Sequence, residues 1–312
     1  VVRTPKTTAI IPARDATGTL SRAIESVLKI DLPIEVIVID DGSTDGTGAL
    51  ASSYKKVRVI RTPGIGAGGA RNIGIKASQG EYIAFLDADD EWLESKLSSE
   101  LEIMQRRPDV ALVCTNFEKW QNNQFLMNGF DQHTSVYLPG SEQDSDCFIF
   151  RDGFMRICAS LFVATPTVVG RAQLFRENLF DEQFSIGEDL DLWLRVARRG
   201  TIAAIEKPLV RIYDYPDSLG SIPDTVLLET ERVLATFKQR VGKLTANQQR
   251  SLLRKLGAVR CARAYQARRR GHCGHALKCY LGSLSASPSK IAAIGLAKAL
   301  VELFLPQKPG PA

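Results

Sequence analysis

Over the first ninety positions, apolar residues fall into short unbroken runs separated by stretches with helical spacing. Thr8-Ala9-Ile10-Ile11-Pro12 reads as a strand. Residues 16–28 read as a helix, because Leu20, Ile24, Val27 and Leu28 recur at the helical interval. Residues 34–39 are almost continuously apolar, which suits a parallel strand covered on both faces. Asp40 to Asp45 supply turn and cap chemistry, followed by a helix over 48–54 and a strand over 57–60. A helix over 70–78 and a strand over 81–86, bounded by Gly80, continue the alternation. This β-α-β-α-β order predicts an α/β sheet.

Asp87-Ala88-Asp89-Asp90 stands where the 81–86 strand gives way to a loop. In open α/β sheets ligands bind beyond the carboxyl ends of strands, and hard cations link one or two carboxylates to substrate phosphates. The run therefore fits a Mg2+ or Mn2+ site, and it equally fits a solvated acidic turn whose Asp90 or Glu91 favours a helix N-terminus. Gly64-Ile65-Gly66-Ala67-Gly68-Gly69 matches G-x-G-x-x-G, but it follows the third strand and is set off from it by Thr62-Pro63. A close-approach loop that aims Arg71 and backbone N–H groups at an anion is the preferred reading over a dinucleotide site. Glu188-Asp189 opens a helix predicted over 190–199, where Asp189 as a cap, with Trp193 and Leu194 as core, explains the residues without chemistry.

Taken together, Ala9-Ile10-Ile11-Pro12-Ala13, Val38-Ile39-Asp40-Asp41-Gly42-Ser43-Thr44-Asp45, Ala70-Arg71-Asn72-Ile73-Gly74, Phe85-Leu86-Asp87-Ala88-Asp89-Asp90 and Gly187-Glu188-Asp189-Leu190-Asp191-Leu192-Trp193 stand in the order seen in family 2 glycosyltransferases. The chain resembles that family over about residues 7–215. The resemblance implies an α/β fold of the GT-A (nucleotide-diphospho-sugar transferase) type, a Rossmann-like mixed sheet, with a C-terminal α-helical extension. It implies an inverting, metal-dependent transfer of a sugar from a nucleotide-diphosphate donor, a UDP-sugar, to a glycan or lipid-linked hydroxyl. Pro12, Ala13 and Asp41 would hold the nucleobase, with Asp41 accepting the uracil N3–H. Arg71 would face the diphosphate. Asp87 would contact the ribose, or the metal through water, and Asp89 would coordinate Mg2+ or Mn2+. Asp189 would be the base and Glu188 an acceptor contact. Arg195 would support these carboxylates or decorate the helix. Residues 115–152, which lack a clear period, would carry acceptor specificity. The Q-x-x-R-W signature of processive synthases is absent, so one transfer per acceptor encounter is expected. The rivals are an NAD(P)-dependent oxidoreductase using Gly64, Gly66 and Gly69, and a non-catalytic scaffold of the same fold.

The net charge of +5 hides an asymmetry: residues 233–312 hold fifteen Lys or Arg against one acid, Glu302, for +14, and the rest carries −9. Residues 1–222 are expected to form the catalytic domain and 223–312 a basic helical region beginning near Ser221-Ile222-Pro223-Asp224, with helices through Leu305. Gly271 and Pro288 delimit a helix of one αα-hairpin. Residues 291–305 are apolar but interrupted by Lys298 and Glu302, too short and charged for a span and suited to an anionic membrane surface or to packing. Few aromatics accompany the arginines, so nucleic acid is not an expected partner. Cys261, His272, Cys273, His275 and Cys279 lack a C-x-x-C pair and read better as hairpin packing than as zinc ligands. Scattered cysteines and no visible leader point to a cytoplasmic protein, peripheral on the inner membrane face.

Overall fold

The computed structural model describes residues 7–137, 141–144, 146–215 and 223–304. The chain divides into two compact units, Val1–Ser218 and Leu219–Ala312. Ser221, Ile222 and Leu305, where the start and end of the helical region were expected, lie outside the described residues.

In the first unit β1 (Thr7–Ala13), β2 (Ile34–Asp41), β3 (Val57–Thr62) and β4 (Tyr82–Phe85) pair in parallel in the order β3-β2-β1-β4. Helices α1 (Leu20–Leu28), α2 (Thr47–Ser52) and α3 (Gly66–Ala77) connect them. The strand β5 (Glu91–Trp92) and helix α4 (Lys96–Arg106) follow, then β6 (Val110–Gln121), β7 (Gln124–Asn128), β8 (Glu142–Asp144), β9 (Cys147–Phe150), α5 (Gly153–Ala159), β10 (Val168–Arg171), α6 (Ala172–Glu177), α7 (Glu188–Ala197) and β11 (Thr201–Tyr213). The sheet continues β4-β10-β6-β11-β9-β8, with β10 antiparallel to both neighbours and β6 parallel to β11. The mixed sheet is thus built as expected, while β6 extends as a strand to Gln121, its last five residues half-buried without an alternating pattern.

Strand alternation divides the core. Ala9 and Ile11 of β1, with Val36 and Val38 of β2, pack with Leu20, Ile24 and Val27 of α1 and Leu97 and Leu101 of α4. On the opposite face Ile10 meets α3 so closely that a Cβ on Gly74 would stand 2.5 Å from Ile10 Cγ2. Phe85 likewise meets Phe175, Phe180 and Trp193, with ring centroids 5.0, 5.5 and 6.4 Å away. Trp193 is therefore packing, which fixes α7 against the end of β4. This arrangement places the loops after β1, β2 and β4, and the start of α7, at one edge of the sheet.

The second unit contains α8 (Pro223–Arg240), α9 (Ala246–Arg269), α10 (Cys273–Ala286) and α11 (Lys290–Phe304). Thr245 caps α9 with a full capping box through Gln248. Ala264, Ala267, Ala276, Cys279, Tyr280, Ala292 and Ala299 form its small core. Cys279 and Cys273 are buried free thiols, and His275 lies one helical turn from Cys279 at 3.5 Å. Among the described residues no group of three or more His, Cys, Asp or Glu is arranged to hold a metal, and no helix is long and apolar enough to cross a membrane.

Candidate active site

The loops after β1 and β2 are latched together by short polar side chains. Ser43 Oγ accepts the Asp15 N–H at 3.0 Å, Thr47 Oγ1 accepts the Ala16 N–H at 2.8 Å, and Asp15 Oδ1 accepts the Thr44 N–H at 2.8 Å. Asp45 takes the N–H groups of both Thr17 and Thr47. Asp40, fully buried, accepts the Ser43 N–H. Pro12 and Ala13 thus end β1 inside a rigid rim. This latch is spread over residues 15–47 and becomes visible only when the two loops are brought side by side.

Asp41 has a role the sequence did not disclose. Its Oδ1 accepts from Thr62 Oγ1 at 2.5 Å and from the Ile65 N–H at 2.7 Å, and its Oδ2 accepts from the Gly66 N–H at 2.8 Å. Helix α3 starts at Gly66, four residues earlier than the expected 70–78, so the glycine-rich stretch is largely helix rather than loop. The anion at its N-terminus is Asp41 itself, which takes the Ile65 and Gly66 N–H groups. Gly42, at φ +76, lets the β2 loop approach: a Cβ would stand 2.9 Å from the Gly64 nitrogen. Of about four lone-pair positions on an ionised carboxylate, three are filled here, so one remains for a further N–H.

Arg71, expected to face the diphosphate, bridges two carboxylates. It is buried, and its Nη2 donates to Asp87 Oδ1 at 2.6 Å while its Nη1 donates to Glu188 Oε1 at 2.9 Å. The guanidinium lies 5.4 Å from the Phe180 ring centroid. Burial alone would lower its pKa, but the charges of Asp87 and Glu188 push it well above the ordinary value. Arg71 thus bridges the acidic loop after β4 to the start of α7, with its fork of donors spanning two carboxylates. The next residue repeats the connection: Asn72 Nδ2 donates to the Phe180 carbonyl and to Glu182, and Asn72 Oδ1 accepts the Phe180 N–H. Arg195 completes the support by donating to the Leu179 carbonyl at 2.7 Å and to Asp191 at 2.8 Å. It holds the approach to α7 through Asp191 and the Leu179 carbonyl.

Glu188 and Asp189 both lie in the first turn of α7, two residues earlier than the predicted helix start. Asp189 Oδ1 accepts the Leu190 N–H at 2.6 Å. Burial and then the Glu188 charge push the Asp189 carboxyl up to about 7, with Arg71 acting in the opposite sense. That places it in the range a general base needs near neutral pH.

The acidic run separates into distinct roles. Asp90 is buried and its Oδ1 accepts the Tyr213 N–H at 3.0 Å, tying the loop to the end of β11. Its carboxyl is raised by burial and by Asp89 and Asp87. Asp89 is half-buried, and burial followed by the charge of Asp87 raises it to about 6. Arg22 of α1, which sequence reasoning missed, donates to the Asp89 main-chain carbonyl and stacks 3.7 Å from the Tyr213 ring centroid. Only its tertiary neighbours distinguish it from any other exposed helix arginine. Asp87 and Asp89 therefore repel each other in a partly desolvated loop, and a cation would relieve that cost. Carboxylate oxygens from one or two side chains, completed by substrate phosphates, are the donor set that Mg2+ and Mn2+ take, so these residues fit such an ion.

The profile of glycosyl transferase family 2 matches residues 8–184, more than half of the sequence, and the chain belongs to that family. An uncharacterised glycosyltransferase of Rickettsia felis is 33% identical over 216 residues, covering 68% of this chain and 33% of the relative, so the chain spans about a third of that protein's length. The Escherichia coli UDP-Glc:alpha-D-GlcNAc-diphosphoundecaprenol beta-1,3-glucosyltransferase WfgD is 30% identical over 200 residues, 63% of this chain and 71% of its own. The succinoglycan biosynthesis protein ExoO of Rhizobium meliloti is 30% identical over 234 residues, 73% and 65% of the two chains. Among solved structures, Staphylococcus aureus TarS 1–349 in complex with UDP-GlcNAc superposes with a TM-score of 0.68 at 17% identity, covering 95% of this chain and 88% of that one. The fold is GT-A, and the chain is a family 2 glycosyltransferase rather than a dinucleotide-dependent oxidoreductase.

Proposed function

We propose that this chain transfers a sugar from a UDP-sugar to a hydroxyl of a glycan or lipid-linked acceptor, with inversion at the anomeric carbon and one transfer per encounter. The observation that carries the reading is the Arg71 bridge, which brings Asp87, Glu188 and neighbouring Asp189 together from segments about a hundred residues apart. The named substrates of WfgD, and the UDP-GlcNAc in the TarS complex, support the donor and acceptor classes.

In this reading Pro12, Ala13 and the remaining acceptor position of Asp41 hold the nucleobase. Asp89, with Asp87 nearby, would hold Mg2+ or Mn2+. When bound, the ion supplies positive charge to the departing diphosphate. Asp189 takes the proton of the acceptor hydroxyl as that oxygen bonds to the anomeric carbon, and the bond from carbon to the diphosphate oxygen breaks on the opposite face. Glu188 orients the acceptor, and Arg71 holds Glu188 in register with Asp87. Its remaining guanidinium N–H donors face the diphosphate in this reading. The chain acts peripherally at a membrane surface through residues 233–312.

Turnover of UDP-sugars by the purified chain, with Mn2+ present, tests the reading. Asp189→Asn is expected to retain UDP binding and lose transfer by about 10²-fold or more, whereas Asp89→Ala is expected to lose the metal-dependent part of donor binding. Wild-type transfer by Asp189→Asn would remove the base assignment, and absence of any donor turnover would favour a scaffold.

A further inference from the structure

Helix α1 holds the acidic loop at two points. Arg22 and Ser26 stand one turn apart on the same face of that helix. Arg22 Nη2 donates to the Asp89 main-chain carbonyl, and Ser26 Oγ accepts the Trp92 N–H at 3.1 Å. The segment from Asp89 to Trp92 is therefore set against one rigid element. Arg22 is itself held in place: its guanidinium lies 3.7 Å from the Tyr213 ring centroid, and its Nη2 also donates to Tyr215 Oη at 3.3 Å. Its Nε lies 3.9 Å from Glu91 Oε2, while Glu91 Oε1 accepts from Arg211 of β11 at 2.8 Å. A planar cation stacked on a ring keeps its donors in one plane, so the stack fixes the direction in which Nη2 points.

The same helix is continuous with the rim after β1. Ala16 donates its N–H to Thr47 Oγ1 at 2.8 Å, and its carbonyl accepts the N–H of Leu20, the first residue of α1, at 2.9 Å. Less than two helical turns thus separate the latched rim from the side chain that holds Asp89. Asp87, Asp89 and Asp90 repel one another in a partly desolvated loop. Arg71 restrains the Asp87 carboxylate from α3, and Arg22 restrains the Asp89 backbone from α1. The loop is therefore clamped from two helices.

We propose that Arg22 is a positioning residue for the donor's cation: by fixing the Asp89 backbone between α1 and Tyr213, it keeps the acidic loop in its binding geometry before any ion arrives. The inference rests on the reading of Asp89 as the ligand of Mg2+ or Mn2+. The sign of the effect separates positioning from charge. A guanidinium beside a cation site repels the cation, so by charge alone its removal would tighten binding. Removal of a positioning residue weakens binding instead, because the ion must then order a loop that was ordered beforehand.

The test measures free Mn2+ by electron paramagnetic resonance while the full chain is titrated with UDP present. Arg22→Ala is expected to raise the Mn2+ Kd by about tenfold. Arg22→Lys keeps the charge but loses the flat stack and the fork, and should stay at least about threefold weaker than wild type. Tyr213→Leu removes the stack while keeping α1 and the main-chain bond to Asp90, and should weaken Mn2+ binding by about threefold. In the metal-free chain, the Asp90 and Trp92 amides should exchange hydrogen at least about fivefold faster in Arg22→Ala, with the amides of β1 and β2 unchanged. If Arg22→Ala loses protection in β1 and β2 as well, Tyr213→Leu decides the matter. Mn2+ binding by Arg22→Ala as tight as that of wild type, or tighter, overturns this inference alone, and so does unchanged exchange at Asp90 and Trp92. A wild-type chain that binds no Mn2+ in the presence of UDP sinks the assignment of Asp89, and this inference with it.

Discussion

Arg71 and Asp189 show how a single side chain sets the chemistry of its neighbours. Asp189 is raised to about 7 by burial and by Glu188, and Arg71 counteracts that rise. A base works only when deprotonated, so transfer is expected to increase with pH through about 7 and level off above it. Removing the cation in Arg71→Ala should move that limb to higher pH, and Arg71→Lys should restore it in part, since an ammonium keeps the charge but lacks the fork that spans Asp87 and Glu188. The measurement is kcat/KM against pH for the three proteins. A limb that stays in place in Arg71→Ala would mean that Arg71 has only a packing role. Both residues stand in recognisable motifs, but their bridge joins α3 to α7 and has no local signature.

At the scale of elements, α4 carries an ion pair sealed inside the core. Lys96 and Glu100 are 0% exposed, their contact is 2.8 Å, and the ammonium lies 4.4 Å from the Trp92 ring centroid. Burial lowers the Lys96 pKa and raises Glu100 to about 7, shifts of opposite sense that both disfavour charge, while each partner favours the other's ionised form. Desolvation offsets most of the attraction in such a pair. Glu100→Gln leaves an ammonium without its counter-charge and is expected to cost about 3 kcal/mol. Lys96→Met combined with Glu100→Leu should return stability to about the wild-type value or above it. Urea denaturation compares them, and a double variant as destabilised as Glu100→Gln would show that the pair is net stabilising. The i, i+4 spacing was present in the sequence, but a solvated surface pair has the same spacing. Burial separates the two cases, and burial depends on β5 and β6 closing over α4.

For the whole first unit, a donor would bind across segments that are separate in the chain: the rim after β1 and β2, and the acidic loop after β4. Ligands that bind only the folded state stabilise it, by about 2.7 kcal/mol at a hundred times Kd. A UDP-sugar is therefore expected to raise the melting temperature with Mn2+ and much less without it, and NADH is expected to have no effect. Equal shifts with and without Mn2+ would remove the ion from donor binding. The charge asymmetry belongs to this scale as well, because an overall +5 describes neither the acidic first part nor the basic second.

Sequence by itself determined the α/β order, because burial on both faces imposes continuous apolar strands and amphipathic helices that can be read locally. It also determined the acidic loop and the family, since the five motifs occur in a fixed order. Tertiary structure alone decided what those residues touch. Asp41 caps the start of α3, Arg71 bridges Asp87 and Glu188, and Asp90 anchors β11. Hydrogen bonds and charge pairs depend on distances of about 3 Å between residues far apart in the chain, and neither composition nor periodicity encodes such distances.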